Sequence, residues 1–193
     1  TCRMVVQAYL DRIEAYDEAT VNAITVLNPN ALTRADEIDA AVRTGDEMGS
    51  LFCVPMLVKD NFDTHDMITS GGSIALIDNY PPDDAFMVRR IREEGAVVVA
   101  KTNMAEWAFS PRESVSSSFD TTRNAYALDR VPAGSSGGTA SGVAASFGLI
   151  VNFPHRANTR WEILYANQST EAEFSGVATG DDLLSHGRLP GPG

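Results

Sequence analysis

Residues 96–101 read Ala96-Val-Val-Val-Ala100-Lys101, five apolar residues in succession followed by one lysine. A run that is apolar at every position is typical of a strand buried on both faces, as the central strands of α/β proteins are. Helical and strand-like segments alternate along the chain before this run. We therefore predict an α/β fold with helices packed on both faces of a mixed sheet.

Sequence periodicity and stop signals place the other elements. In chain order, we expect a helix capped by Thr1, a strand over 23–27, a helix from Asn28-Pro29 to Gly45, a strand over 51–58 and a helix starting at Pro81. Each helix has one apolar face. The predicted inward residues are Val6, Tyr9, Leu10 and Ile13, then Ala31, Ala35, Ile38 and Val42, then Met87, Val88 and Ile91.

The run over 51–58 ends on Lys59, just as the run over 96–100 ends on Lys101. Burial among apolar neighbours favours the neutral form of a lysine, which can then act as a base. Such a base can activate a serine hydroxyl, which is otherwise a weak nucleophile. Gly134-Ser135-Ser136-Gly137-Gly138 offers two serines in a glycine-rich loop. Together they are the parts of a serine hydrolase that works without histidine, whereas we expect Lys101 to pair with a carboxylate.

Four segments of the chain resemble the amidase signature family in order and spacing. They are residues 49–61, which contain Pro55-Met-Leu-Val-Lys59-Asp-Asn61, residues 69–73, residues 84–104, and residues 132–142, which contain the serine loop. The resemblance implies hydrolysis of a carboxamide or related acyl bond in a small-molecule amide, through a Ser-Ser-Lys triad and an acyl-enzyme. It implies no metal and no organic cofactor. It assigns Lys59 as the base and Ser135 as the relay serine that follows a cis peptide bond.

The third triad member, the nucleophile, is expected about two dozen residues after Ser135, inside a pattern like Asp-Thr-Gly-Gly-Ser-Ile-Arg. The chain reads Asn152-Phe-Pro-His-Arg-Ala-Asn-Thr159-Arg160 there, without the glycine pair that would form the oxyanion hole. We therefore expect that the nucleophile is missing or replaced by Thr159, and that this product is impaired.

The change in pattern divides the chain into two parts. Residues 1–150 are predicted to be the N-terminal portion of an amidase-like domain. Residues 151–193 are unassigned and predicted to be a poorly ordered tail, because they show no face to bury. The abrupt change resembles a frameshift or an alternative exon, so we expect a truncated amidase. We also expect residues upstream of Thr1, since the chain does not begin with Met.

Two other hypotheses stay open. The serine loop is a literal Gly-x-Ser-x-Gly, so an α/β-hydrolase-type esterase could use Ser136 with Asp181 or Asp182 and His186. That elbow needs a strand leading into the serine and a helix leaving it, and Pro132 and nearby charges make a poor strand. The other hypothesis is a non-catalytic remnant of the fold, or a fragment that binds small molecules.

Composition and charge argue against some classes of binding partner. The net charge of −11 argues against nucleic acid, which requires a basic patch, and no apolar run approaches the ~20 residues of a membrane span. Cys2 and Cys53 fit no metal pattern, and we expect unpaired thiols. A cytoplasmic location is favoured over secretion, although an incomplete N-terminus leaves the compartment open. His65 is expected to be alone and solvated, and Ser73 to shape a loop.

Overall fold

The computed structural model describes residues 1–148 and three further short strands, Ile150–Asn152, Glu162–Leu164 and Val177–Thr179. The central sheet is formed by β1 (Ile24–Leu27), β2 (Pro55–Lys59) and β3 (Val97–Thr102) in the order β1–β3–β2. β3 runs antiparallel to β1 and parallel to β2. The predicted mixed sheet with a fully buried central strand is confirmed, since every residue of β3 is buried.

Helices cover both faces of this sheet, as predicted. The helices are α1 (Cys2–Tyr16), α2 (Ala31–Thr44), α3 (Phe86–Glu93) and α4 (Gly137–Ala144). Residues of α1, α2 and α4 share one apolar cluster with Leu57, Val97 and Val99 of the sheet. On the opposite face, α3 packs Val88 and Ile91 against Met56, Val58 and Val98. The two faces are therefore sealed by different helices.

Several local signals act as the sequence predicts. The Thr1 hydroxyl accepts a hydrogen bond from the Met4 N–H at the start of α1. Gly45 ends α2 in the left-handed conformation, with φ of +79°. Two features differ from the prediction. α3 begins at Phe86 rather than Pro81, and Val42, predicted to face inward, lies exposed near the end of α2. A third difference is that β3 extends to Thr102, so Lys101 lies inside the strand.

The segment before β2 is a turn and not the predicted strand from Leu51. The Val54 N–H donates to the Leu51 carbonyl, and Cys53 has φ of +58°. The Leu51 and Cys53 N–H groups donate to the Glu94 and Gly95 carbonyls after α3, so this segment is tied to the end of the helix. The strand starts only at Pro55, where pairing with Val97 begins.

The prediction of unpaired thiols is wrong, because Cys2 and Cys53 form a disulfide with Cα atoms 5.5 Å apart. The two cysteines are separated by 51 positions in sequence. They meet because the N-terminus of α1 packs beside the turn that leads into β2. Cys2 is buried there and Cys53 packs against the same apolar cluster.

Two further sheets accompany the central one. β4 (Val115–Ser116) pairs with β5 (Asp120–Thr121) in an antiparallel hairpin. The last three strands, β6 (Ile150–Asn152), β7 (Glu162–Leu164) and β8 (Val177–Thr179), form an antiparallel sheet in chain order. Most of residues 151–193, including Thr159, Asp181, Asp182 and His186, lie outside the described residues. The division at residue 150 therefore stays a prediction. Within the described part of the chain, no helix is long and apolar enough to cross a membrane.

Candidate active site

Lys59 is the last residue of β2, where it pairs in register with Thr102 of β3. Its side chain extends on the α4 side of the sheet, the side on which the Thr102 hydroxyl lies 2.7 Å from that of Thr139 in α4. The Lys59 Nζ donates a hydrogen bond of 2.7 Å to the Ser135 Oγ. The contact that the sequence predicts between these two residues is therefore present.

Ser135 lies in the loop immediately before α4, and the Gly134–Ser135 peptide bond is cis, as the resemblance implies. The Ser135 carbonyl accepts from the Ala105 N–H at 3.0 Å, which anchors the loop to the segment after β3. The loop needs glycine at Gly134 and Gly138, because a Cβ there would lie 2.2 Å from the Glu113 carbonyl oxygen and 2.3 Å from that of Asn103. These close backbone approaches bring Ser135 to the end of β2.

The surroundings of Lys59 favour a neutral amine. Burial lowers the pKa of Lys59, since removing an ammonium group from water disfavours the charged form. Leu57 and Val58, which precede it, are buried. The nearest polar partner is a neutral hydroxyl. A neutral lysine in contact with a serine hydroxyl can accept a proton from it, which is the first requirement of a histidine-free hydrolase.

Lys101 pairs with a carboxylate, as predicted. Its Nζ lies 3.3 Å from the Asp60 Oδ1, and both side chains are fully buried. The same ammonium donates to the carbonyls of Phe62 and Ile68 and to the Thr69 hydroxyl, at 2.8, 3.1 and 2.8 Å. Burial lowers the pKa of Lys101 while the Asp60 carboxylate opposes that change. Lys101 thus has the partners of a charged, structural lysine.

Asp60 is the residue that sequence reasoning missed. Its carboxylate also accepts hydrogen bonds from the N–H and the hydroxyl of Ser70 and, at 3.4 Å, from the Gly72 N–H. A signal for it did exist in the sequence. A lysine inside a strand that is apolar on both faces requires a buried counterion, and Asp60 is the first acid after the neighbouring strand.

The structure lacks the strand before Ser136 that the α/β-hydrolase hypothesis requires. Residues 131–136, which precede α4, form no strand, and Ser136 is exposed at the start of the helix without a side-chain capping bond. A nucleophile elbow requires a strand leading directly into the serine. The partners proposed for Ser136 lie outside the described residues.

His65 is exposed, as predicted, but it is not alone. Its Nδ1 and its backbone N–H both lie 2.9 Å from the Asp84 Oδ1. His65, Asp66 and Asp84 place possible ligand atoms within 4.8 Å of one another. Arg92 already engages both carboxylates, at 2.8 Å from Asp66 and 3.1 Å from Asp84. The group is therefore an ion-pair network that fixes α3 to the loop after β2.

Ser73 is buried and its hydroxyl bonds to Glu106, which agrees with the predicted loop-shaping role.

Comparison with known proteins identifies the class to which this fold and site belong. The sequence profile of the amidase family matches residues 4–151. The chain is 40% identical over 147 residues to one subunit of the glutamyl-tRNA(Gln) amidotransferase of Alkaliphilus metalliredigens, and 45% identical over 138 residues to the corresponding protein of Moorella thermoacetica. These matches cover 76% and 72% of this chain but 30% and 28% of the relatives. The chain belongs to the amidase family.

Solved structures agree with this assignment. The native peptide amidase from Stenotrophomonas maltophilia matches with a TM-score of 0.73 and 43% identity, over 78% of this chain and 32% of that enzyme. An amidase family protein from Bacillus anthracis matches with a TM-score of 0.73 and 35% identity, over 79% of this chain and 32% of that chain. The predicted α/β fold of the amidase signature type is confirmed. The chain spans about a third of the length of the proteins it matches.

Proposed function

We propose that Lys59 and Ser135 are the base and the relay serine of a Ser-Ser-Lys site that hydrolyses the amide bond of a small-molecule carboxamide. The observation that carries this proposal is the 2.7 Å hydrogen bond from the Lys59 Nζ to the Ser135 Oγ. Two features support it. Burial lowers the pKa of Lys59, and the chain belongs to the amidase family.

In the proposed reaction, neutral Lys59 takes the proton that Ser135 relays from a nucleophilic hydroxyl. The nucleophile then attacks the amide carbonyl carbon, and the negative charge develops on the carbonyl oxygen. Collapse of this intermediate breaks the C–N bond, and the proton held by Lys59 returns through Ser135 to the leaving amine. Water hydrolyses the resulting acyl-enzyme by the same proton route. Backbone N–H groups near the nucleophile would stabilise the oxyanion, often the largest single catalytic effect.

The nucleophile is the part of this site that the sequence does not supply in its usual form. No Gly-Gly-Ser-Ile-Arg-like stretch follows residue 150, and Thr159-Arg160 stands near the expected distance. We infer that the 193-residue chain by itself does not turn over amides. A non-catalytic role of this chain is the second candidate, and the absence of that motif favours it.

The test of the base and the relay serine supplies the missing parts from a relative. Residues 1–150 of this chain would replace the matching part of the peptide amidase from Stenotrophomonas maltophilia, and hydrolysis of a peptide amide would be measured. We expect activity in the chimera and a loss of about 10³-fold or more in kcat for both Lys59→Ala and Ser135→Ala. Ser136→Ala is the matched control, because Ser136 is exposed and makes no capping bond. Activity that survives Lys59→Ala would overturn the proposal.

The chain itself is then assayed on aryl and alkyl amides and on the matching esters. We expect no turnover, because the loss of a triad nucleophile alone costs up to about 10⁶-fold in kcat. Weak activity that disappears in both Lys59→Ala and Thr159→Ala would identify Thr159 as the nucleophile. Activity that depends on Ser136 and His186 but not on Lys59 would instead support the esterase hypothesis.

A further inference from the structure

The chain contains only two lysines, Lys59 and Lys101, and the structure places them on neighbouring strands. Parallel pairing sets Val58 opposite Lys101 and Lys59 opposite Thr102. Side chains alternate across a sheet, so the two lysines extend to opposite faces. Lys59 extends towards α4 and Ser135, whereas Lys101 extends towards the loop over residues 60–70. Lys101 and its partner Asp60 therefore lie directly behind Lys59.

Asp60 connects this buried pair to the backbone on both sides of the site. It follows Lys59 in the chain, and its N–H donates to the Thr102 carbonyl at 3.1 Å, which extends the pairing of β2 with β3 by one residue. Its own carbonyl accepts from the Gly71 N–H, and its carboxylate from the Gly72 N–H. The end of β2 is thus fixed by the same residue that holds the loop over residues 70–72.

That loop in turn contacts the segment that anchors Ser135. The Gly71 carbonyl accepts from the Trp107 N–H at 2.9 Å. Gly72 packs so closely that a Cβ there would lie 3.1 Å from the Cα of Glu106 and 3.2 Å from the Met104 carbonyl oxygen. Between these residues, the Ala105 N–H donates to the Ser135 carbonyl at 3.0 Å. A continuous set of backbone contacts therefore runs from Asp60 to Ser135.

We propose that the buried Asp60–Lys101 pair positions Lys59 against Ser135. The pair does so from the opposite face of the sheet and without adding a net charge next to the base. This inference rests on the proposed function of Lys59, and it assigns Asp60 and Lys101 as positioning residues that do not touch the substrate. Because the two charges compensate each other, the pair itself places neither an excess cation nor an excess anion behind Lys59.

Several charged groups lie on the elements around Lys59 within residues 1–148. Asp63 and Asp66 act on Lys101 from the loop after β2. On the α1 side, Arg12 donates to the Ala145 carbonyl and the Asp17 carboxylate accepts from the Ala23 and Ile24 N–H groups. Asp60 follows β2, Lys101 lies on β3, Glu106 is in the segment next to Ala105, and Glu113 lies against Gly134. β1 and α4 carry no charged residue. Glu106 is engaged by Ser73 and Ser117. Asp60 adjoins Lys59 in the chain and Lys101 lies on the strand paired with β2, so a loss of balance in this pair should change the pKa of Lys59.

The two lysines make a direct test possible in the full chain. Incorporation of [ε-¹³C]lysine gives two Cε resonances, which Lys59→Met and Lys101→Met assign, and the pH dependence of the Lys59 signal reports its titration. We expect Asp60→Asn to lower the pKa of Lys59, because the unbalanced Lys101 ammonium opposes a second positive charge. We expect Lys101→Met to raise it, because the unbalanced Asp60 carboxylate favours the ammonium form. The double variant should return the pKa towards that of the wild type.

A merely structural role gives a different result. Disruption of the site would expose Lys59 to water in both single variants and raise its pKa in both. Shifts of the same sign, or no shift, would overturn the inference. Glu93→Gln on the exposed face of α3 is the matched control for the loss of one carboxylate, and it should leave the Lys59 titration unchanged.

A milder variant covers the case in which a charge variant does not fold. Ser70→Ala keeps both charges but removes a hydroxyl that contacts the Asp60 carboxylate and the Gly72 N–H. Ser135→Ala is then made in the wild type and in Ser70→Ala, and the change in the Lys59 pKa is compared. If the contacts from Asp60 hold Lys59 against Ser135, this change should be smaller in the Ser70→Ala variant. An undiminished effect contradicts the inference. A wild-type Lys59 that titrates like a free lysine would instead refute the proposed base, so failures of the two proposals are distinguishable.

Discussion

Lys59 and Lys101 follow apolar runs of similar length on neighbouring strands, and burial lowers the pKa of both. Their partners differ. Lys101 has a carboxylate, two carbonyl oxygens and a hydroxyl around a fully buried ammonium. Lys59 has one serine hydroxyl and is only partly buried. The comparison teaches that burial alone does not make a lysine a base, because an ammonium surrounded by acceptors stays charged, whereas one beside a hydroxyl can lose its proton.

The largest effect should come from removal of the structural lysine. Lys101→Met leaves the Asp60 carboxylate buried without its counterion, and loss of one partner of a buried ion pair costs about 3–5 kcal/mol. We expect a decrease of that size in the free energy of unfolding, measured by urea denaturation. Lys101→Met combined with Asp60→Asn removes both charges and should recover part of the loss. A Lys101→Met variant as stable as the wild type would show that the two lysines do not differ in this way.

The second effect concerns the other end of β2. The Cys2–Cys53 disulfide closes a loop of about 50 residues, and a disulfide of this kind typically stabilises a protein by about 2–4 kcal/mol. We expect Cys2→Ser combined with Cys53→Ser to lower the free energy of unfolding by that amount. The Lys59 titration should remain unchanged, since Cys53 precedes β2 and Lys59 ends it. Equal stability of the wild-type protein in oxidising and reducing buffer would contradict the expectation.

Sequence reasoning succeeded where one short segment contained the whole signal. The buried strand at residues 97–100, the cap at Thr1 and the stop at Gly45 are all local patterns, and the structure has them. The contact between Lys59 and Ser135 spans 76 positions and came from the family resemblance, not from periodicity.

The failures were tertiary contacts without a local pattern. Nothing near Cys2 or Cys53 in the sequence shows that α1 packs beside the turn before β2. The buried Lys101 indicates that a counterion must exist, but nothing local to Asp60 distinguishes it from other acids after β2, because its burial depends on how the loop over residues 60–72 folds back onto the sheet. The catalytic assignment of Lys59 and Ser135 is still a prediction, and so is the boundary at residue 150.

The third effect, the loss of stability in Lys59→Met, should be small in comparison with the loss in Lys101→Met. Lys59→Met removes one hydrogen bond, to Ser135, which contributes about 0.5–1.5 kcal/mol. It also removes the cost of holding an ammonium in a partly apolar site, so the net change near neutral pH should be about 1 kcal/mol or less. Urea denaturation of Lys59→Met and Lys101→Met side by side measures the contrast. Equal losses in the two variants would indicate that Lys59 is also a structural lysine.

The smallest effect is the pH dependence of that difference, and its sign follows from the direction of the pKa shift. Burial lowers the pKa of Lys59 below its ordinary value of 10.5. Between the lowered pKa and 10.5, the unfolded chain therefore binds more protons than the folded chain. The free energy of unfolding then rises with pH across that window, and below it the contribution of Lys59 is constant and unfavourable. Lys101 titrates in both the wild type and Lys59→Met, so only the part of its titration that depends on the charge of Lys59 remains in their difference. We expect this difference to change in favour of the wild type as the pH approaches 10.5. Arg34→Met, which removes an exposed cation remote from this site, is the control and should show no such trend. If the difference in free energy of unfolding between the wild type and Lys59→Met does not change with pH, Lys59 has the same pKa in the folded and the unfolded chain. The contrast between Lys59 and Lys101 would then rest only on their different contacts.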